Sequence, residues 1–434
     1  MDSSPAAPGS PSPISRGRAG WALVGPTLGL LGIAALFRAS QNAAQTTAPL
    51  LGHQVLLLGP GVIGLVVTVG GLAAVLTNLV LVGRRSHRGL GVLLGVGLSL
   101  LTVSLVVLAT ATSLPEFVAA ALGLGAAGGL VMPVLPTLLG SLPGIDAGRS
   151  MAMYSVALSA SLAAGPLLES GVLRLASGSL PAGLLAFVPL GALAIALTLV
   201  VRPGGPVRAG SFPGPAPTQP VHGSERRPAR TRLVLRGNRR LRWALTSQLL
   251  YQVPFVAVVA FGALLARDLY GVSVADAQLG FTVFFLASLA ARLVLVWHPA
   301  GERSVLVLRG SAVLTLAGVG VLASGGAGRV HGTLALFLAM GLLGVPHGTT
   351  YPVSLALVAQ AVPLAMLARA NSMLAAATNL VGVTGPVVLG VLIEQVGYRG
   401  MMLLVGLPVL ALGIALFVWT ARPPSVPPEP EVTP

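Results

Sequence analysis

Long apolar runs decide what this sequence can fold into. A helix needs about 20 predominantly apolar residues to cross the hydrocarbon core of a bilayer. Twelve such runs follow one another: 21–45, 55–82, 90–110, 115–141, 150–173, 181–201, 242–266, 274–297, 304–323, 332–360, 370–393 and 400–421. Most connections between them are shorter than ten residues, so consecutive spans must be antiparallel neighbours. Only 9% of the 434 residues are charged, against the roughly one quarter that a soluble protein uses to cover its surface. The expected fold is an all-α polytopic membrane protein of twelve transmembrane helices, with no stretch left over for a soluble catalytic domain.

The 26 basic residues are all arginine, and the chain has no cysteine. Without lysine there is no Walker-type phosphate lysine, no Schiff base and no lysine general base. Without cysteine there is no disulfide and no thiolate metal site. No paired-carboxylate, Gly-x-Ser-x-Gly or His-x-x-x-His arrangement appears, so the chain is not expected to be an enzyme, and neither a cofactor nor a metal is expected. Two Gly-x-Gly-x-x-Gly matches, at Gly59 and Gly123, lie in or beside apolar helices and read as close helix packing.

Outside the spans lie a proline-rich tail (1–20), a central segment (202–241) and a short tail (422–434). The first reads as disordered, and the central one as a flexible stretch that turns basic. A basic stretch beside a membrane sets topology and touches anionic lipid; no folded reader of nucleic acid accompanies it, so no nucleic-acid partner is expected. Placing the N-terminus and the even-numbered loops on one side gives that side 19 arginines and the other 4. The positive-inside rule then puts both termini in the cytoplasm of a multi-pass cell-membrane protein.

The two halves repeat at an offset of 220 residues. Gly128, Pro143, Arg149, Met153, Gly165 and Pro166 recur as Gly348, Pro363, Arg369, Met373, Gly385 and Pro386. The organisation expected is therefore a six-helix bundle at 21–201, the basic linker and a second six-helix bundle at 242–421. Repeat halves of this kind form a site at their interface near the bilayer midplane.

With these residues in view, the chain resembles the major facilitator superfamily from Trp21 to Arg422. The Gly165-Pro166 pair in SVALSASLAAGPLLESG is similar to that family's fifth-helix antiporter motif, Gly-Pro-x-x-Gly-Gly, with Glu169 and Ser170 in the last two positions. The loop GRRSHRG resembles its gating motif, with His87 in the aspartate slot followed by Arg88. The resemblance is greatest to the bacterial drug or sugar efflux branch. It implies the major facilitator fold and a monomeric secondary active transporter that moves a small-molecule solute by alternating access, with protons and membrane lipids as its other partners. Proton-coupled efflux is the direction implied; import, or a non-transporting sensor or scaffold of the same fold, are the alternatives. Gating would involve His87, Arg88, Gly165, Pro166, Arg292, Gly385 and Pro386, Arg292 reading as a gate or helix-packing arginine rather than a substrate ligand.

Ionisable groups inside spans are costly and mark candidate sites. Arg38, with Gln41 and Gln45 on the same face of span 1, either faces a watery cavity, where it can grip a carboxylate or phosphate bidentately, or snorkels to the interface. Span 7 carries a matching stripe of Gln248, Tyr251, Gln252 and Phe255. Span 10 adds His347 and Tyr351, and span 11 adds Asn379. The resemblance implies that spans 1, 4, 7 and 10 line the central cavity, where these faces converge. His347 suits proton coupling or a plain interhelical hydrogen bond. Glu169 reads either as a protonatable carboxylate of the external vestibule or as a solvated interface residue. Asp268 and Glu394, at external helix ends, are expected to be solvated.

Overall fold

The computed structural model describes residues 13–82, 89–142, 147–201, 238–325, 329–362 and 364–421. Every regular element among them is a helix. Gating candidates His87 and Arg88, Pro143 and Pro363 of the repeat, and most of the linker (202–237) lie outside the described residues.

Spans 3, 4, 8 and 9 occupy Leu90–Thr110, Leu114–Gly140, Val274–Trp297 and Ser304–Ser324, within a residue of the sequence boundaries. The starts of spans 4 and 8 are set by local chemistry. The Glu116 carboxylate accepts from the amides of Thr112 and Ser113 at 2.7 and 3.1 Å. Ser273 accepts from the amide of Asp276 at 3.1 Å. Both are side-chain substitutes for the missing turn ahead of a helix. Span 7, Arg239–Tyr270, opens on Asn238, whose side chain accepts from the Leu241 amide at 3.2 Å, and closes at Gly271 with φ 63°. The last residues assigned to the linker, Arg239 to Leu241, therefore belong to this helix.

Other boundaries depart further. Span 1 is Pro13–Gln54, longer at both ends than its apolar core. Residues 13–20, expected to be disordered tail, are helical; proline at the first helical position has its φ preset and no amide to leave unpaired. Span 2 is Pro60–Thr77 continued by a π-helical turn, Asn78–Val82. Span 5 is Ala147–Leu175 and span 10 is Arg329–Ala361. Span 6 breaks into Leu180–Leu185 and Val188–Val201. Spans 11 and 12 run together as Leu364–Ala421, and Gly397, at φ 70° and ψ 175°, marks the corner between them.

Ten helices among the described residues are long and apolar enough to cross a membrane, and the last of these contains both spans 11 and 12. Span 1 is not among the ten; its described part carries Arg38, Gln41, Asn42 and Gln45. With span 1 added and the last helix divided at Gly397, the twelve expected spans are present.

Three helix pairs among the described residues join the first six spans to the last six: span 2 with span 11 and span 5 with span 8 extensively, and span 1 with span 7 to a lesser extent. The span 2–span 11 contact is backbone on backbone. A Cβ on Gly64 would collide with the Pro386 carbonyl, and one on Gly390 with the Pro60 carbonyl. Inside each half the repeat shows in the same way. Gly125 and Gly129 of span 4 press on carbonyls of span 2, while Gly344 and Gly348 of span 10 press on carbonyls of span 8. Small residues are needed here because hydrocarbon provides no hydrophobic drive between helices, so close packing has to hold them.

Gly64→Val should force spans 2 and 11 apart and lower stability by about 1–3 kcal/mol, the usual cost of overpacking. Thermal unfolding in detergent checks it, with Gly95→Ala as the control. Nothing lies within 4 Å of a Cβ at Gly95, so that change should leave the transition where it is or raise it slightly.

Candidate functional site

Polar side chains inside the bundle gather in two layers. The larger one draws on spans 1, 5, 7, 8 and 10. Arg38 is half-buried, and its Nη1 donates to Gln41 Oε1 at 2.8 Å, one turn along span 1. Next to it, Asn42 Nδ2 donates to the Leu162 carbonyl at 3.1 Å and ties span 1 to span 5. Arg292 of span 8 reaches across the halves, where its Nη1 donates to Ser159 Oγ of span 5 at 3.0 Å. The two guanidiniums lie within Coulombic reach of each other and of His347; Tyr154 is similarly close to Arg38, and Tyr251 to Arg292.

His347 sits in an aromatic surround. Its ring stacks on Phe255 with centroids 4.7 Å apart and planes 17° apart. Phe284 and Phe285 stand at 5.2 and 5.9 Å. Its Nδ1 is 2.5 Å from the Tyr251 hydroxyl. Several buried polar atoms of this layer have no partner: Tyr154 Oη, Gln248 Nε2 and Arg292 Nε. All three can donate a hydrogen bond.

The second layer is smaller and deeper. Glu169 is completely buried in span 5. The Thr47 hydroxyl of span 1 donates to its Oε1, and Gln278 Nε2 of span 8 donates to Thr47 Oγ1 at 2.9 Å. Glu169 Oε2 and Gln278 Oε1 have no partner. Glu169 stands ten residues beyond Ser159 on the same helix, about 15 Å along its axis at 1.5 Å per residue. Glu169 is not solvated: the Thr47 hydroxyl of span 1 is bonded to it, and a Cβ on Gly183 of span 6 would stand 3.6 Å from its Oε1.

At the end of the bundle that holds the span 1–span 2 turn, polar contacts again join the halves. Arg174 Nη2 meets Asp276 Oδ1 at 2.8 Å, with side chains 57% and 31% exposed. The Gly61 amide of span 2 donates to Glu394 Oε1 of span 11 at 2.8 Å. Glu394 is thus exposed but engaged, favourably placed at a helix N-terminus, whereas Asp268 is simply exposed.

The structure does not gather every candidate. Gln45, Tyr351 and Asn379 are exposed, and no described hydrogen bond ties them to the cluster. Gln252 is half-buried and turned towards span 11, its Nε2 3.7 Å from where a Cβ on Gly382 would lie. The Gly-Pro pairs are contact points. A Cβ on Gly165 would stand 2.7 Å from the Ala39 carbonyl of span 1, and one on Gly385 would stand 2.8 Å from Val256 Cγ1 of span 7. Pro386 supplies the carbonyl against Gly64, and Pro166 lies inside the span 5 helix.

Sequence reasoning missed Thr47, Ser159, Asp276, Gln278, Phe284 and Phe285. Asp276 had a usable signal, since it falls three residues after Ser273 in a helix-opening pattern. The neutral side chains had none.

The sequence pattern of the Major Facilitator Superfamily matches residues 18–325 and, again, 255–433. No curated protein matches the chain by sequence. Among solved structures, the nucleoside transporter NupG is 17% identical with a TM-score of 0.70, covering 92% of this chain and 99% of its own. A D-xylose–proton symporter is 16% identical at a TM-score of 0.71, with coverage of 91% and 97%. A POT peptide transporter bound to sulfate is 14% identical at a TM-score of 0.70, with coverage of 91% and 94%. At these identities the likeness is one of fold.

A double-mutant cycle tests the tie between spans 7 and 10. Tyr251→Phe keeps the ring but takes away the hydroxyl that faces His347 Nδ1, leaving a buried polar atom unpaired at a cost of about 1–3 kcal/mol. With His347→Phe as the second change, the cycle should return a coupling of roughly 1 kcal/mol or more by thermal or denaturant unfolding.

Proposed function

Because the chain belongs to the Major Facilitator Superfamily, we propose that it is a secondary active transporter that carries a small organic solute across the cell membrane by alternating access. One observation carries this reading: the central polar cluster is built by both six-helix halves, and Arg292 touches Ser159 across their boundary. Carriers made of repeats hold their solute at such an interface near the midplane and rock the halves to open one side and then the other.

The arginine asymmetry of the loops supports assigning the end joined by Arg174–Asp276 and Gly61–Glu394 to the outside, with both termini in the cytoplasm. Those contacts then act as the outer closure. The surface ion pair is worth less than about 1 kcal/mol, which suits a closure that must open and shut. The resemblance to the efflux branch supports outward transport driven by protons. Glu169 is the leading carrier of the proton. It is a wholly buried carboxyl with one oxygen unpaired, and it is linked through Thr47 to Gln278 of the opposite half. Moving the halves apart would break the Thr47–Gln278 bond and change what surrounds the carboxyl. His347, hydrogen-bonded to Tyr251, is the second candidate.

The chain has no cysteine, so introduced thiols report alone. In Arg174→Cys/Asp276→Cys, a bifunctional thiol crosslinker should lock the outer closure and stop solute flux in liposomes, and reduction should restore it. Flux that continues through the crosslink overturns alternating access at this end. Ligand binding without flux in the unmodified protein would indicate a sensor, and flux only inward an importer. In cells, a membrane-impermeant thiol reagent should reach Arg174→Cys from outside; reaction only from the cytoplasmic side reverses the orientation.

Glu169→Gln keeps size and hydrogen bonding while it removes the titratable proton. It should preserve solute counterflow but abolish flux driven by an imposed pH difference, read with tracer and with a trapped pH dye. Wild-type pH-driven flux in this variant would take the coupling away from Glu169.

A further inference from the structure

The central layer is short of negative charge. Arg38 and Arg292 sit within Coulombic reach of one another, and the titratable groups near them are His347, Tyr154 and Tyr251, none of them a carboxylate. The ion pair Arg174–Asp276 lies at the end of the bundle, and among the described residues no carboxylate pairs with Arg38 or Arg292. The nearest buried carboxyl, Glu169, stands about 15 Å further along span 5 than the serine that Arg292 touches. Each guanidinium carries five donors, and the hydrogen bonds to Gln41 and Ser159 use one donor on each. Arg292 Nε and Gln248 Nε2, both buried, donate to nothing.

A buried cation without its partner is unfavourable in a membrane interior, and the ways out are a counter-ion, a water-filled cavity or both. Two half-buried cations, one hydrogen-bonded to span 5 at Ser159 and the other a turn before Asn42, which is itself tied to span 5 at Leu162, with surplus donors around them, describe a receptor for an anion. Beside them His347 lies among the rings of Phe255, Phe284 and Phe285, with centroids 4.7, 5.2 and 5.9 Å away. Rings of this kind hold planar ligand groups by offset stacking.

We infer that the solute is an organic anion, a carboxylate or phosphate ester with a planar apolar body, whose acidic group is clamped between Arg38 of the first half and Arg292 of the second. This inference rests on reading the central layer as the solute site. One cation from each half gives the anion a further part to play. Bound between them, it screens their mutual repulsion and lets the halves close around it; without it, that repulsion opposes closure.

The test measures binding rather than flux. Purified protein is melted in detergent with phenylacetate, its neutral isostere phenylacetamide, the cation phenethylammonium, and inorganic phosphate. Phenylacetate and phosphate should raise the melting temperature saturably, as a ligand of the folded state does, and the other two should not. Arg38→Gln and Arg292→Gln should each weaken the phenylacetate effect about tenfold or more, because a charge-assisted bidentate contact is lost. Without any ligand, both variants should melt at or above the wild-type temperature, since each removes an unpaired buried charge.

Stabilisation by phenylacetamide or phenethylammonium equal to that by phenylacetate overturns the inference, and so does the absence of any anion-selective shift. A ligand-free loss of stability in both glutamine variants also overturns it, because the arginines would then be structural. The outcome separates from the transport reading. Anion-selective binding with no flux in liposomes would uphold this site and refute transport; flux of a cation or a neutral solute with no anion binding would do the reverse.

Discussion

Hydrocarbon supplies no hydrogen-bond partner, so a chain that crosses it has to satisfy every backbone amide and carbonyl from within. This single constraint makes each span a helix, and it also determines how the helices meet. Lipid tails are as apolar as leucine, so nothing like the hydrophobic effect presses one span against the next. Close approach must do so instead, through dispersion and through small residues that let backbones touch. Gly64 under the Pro386 carbonyl and Gly390 under the Pro60 carbonyl are where this matters most, for they lie between the halves. The boundary is held by such contacts, by span 1 against span 7, by one exposed ion pair and by a few hydrogen bonds.

The same constraint explains why the architecture was so readable in the sequence. A run of about 20 apolar residues is a sharp signal, and for spans 3, 4, 8 and 9 the helix ends fall within a residue of the apolar ends. Where the boundaries shifted, a feature other than hydropathy set them. Span 1 continues beyond its apolar run as far as Gln54, through the buried Thr46, Thr47, Leu50 and Leu51. The Asn238 cap begins span 7 before its first apolar residue. The corner at Gly397 depends on a positive φ that an apolar count cannot register. The break in span 6 between Leu185 and Val188 left no mark that hydropathy could detect.

The site was legible only in part, and the division has a physical basis. Charged groups inside spans announce themselves by their cost, so Arg38, Arg292, His347 and Glu169 stood out. A polar stripe gives only a helix face, and its members separate once neighbours are placed. Gln41 and Tyr251 are buried, while Gln45 and Tyr351, each one turn beyond a cluster residue, are exposed. Thr47, Ser159 and Gln278 were invisible because threonine, serine and glutamine are unremarkable in such helices. They matter through pairings that lie 122, 133 and 231 residues apart in the chain. Burial was likewise beyond sequence reading for Glu169. Its position near a helix end suggested solvent, yet Thr47 of span 1 and Gly183 of span 6 lie against it.

The two polar layers differ in the kind of charge they hold, and their separation follows from that difference. Guanidinium groups keep their charge and present fixed donors, which suits recognition. A carboxylate loses its charge when it takes up a proton and regains it on release, which suits coupling. Placed in contact, Glu169 and Arg292 would satisfy each other as a salt bridge, and neither would be free to respond to anything else. At about 15 Å along span 5, each layer instead keeps an unmet need: donors without an acceptor in the one, a carboxyl oxygen without a donor in the other. Both layers also cross the boundary between the halves, through Arg292–Ser159 and through Gln278–Thr47. Whatever meets one need therefore acts on the same interface as whatever meets the other, with span 5 as the rigid element common to both.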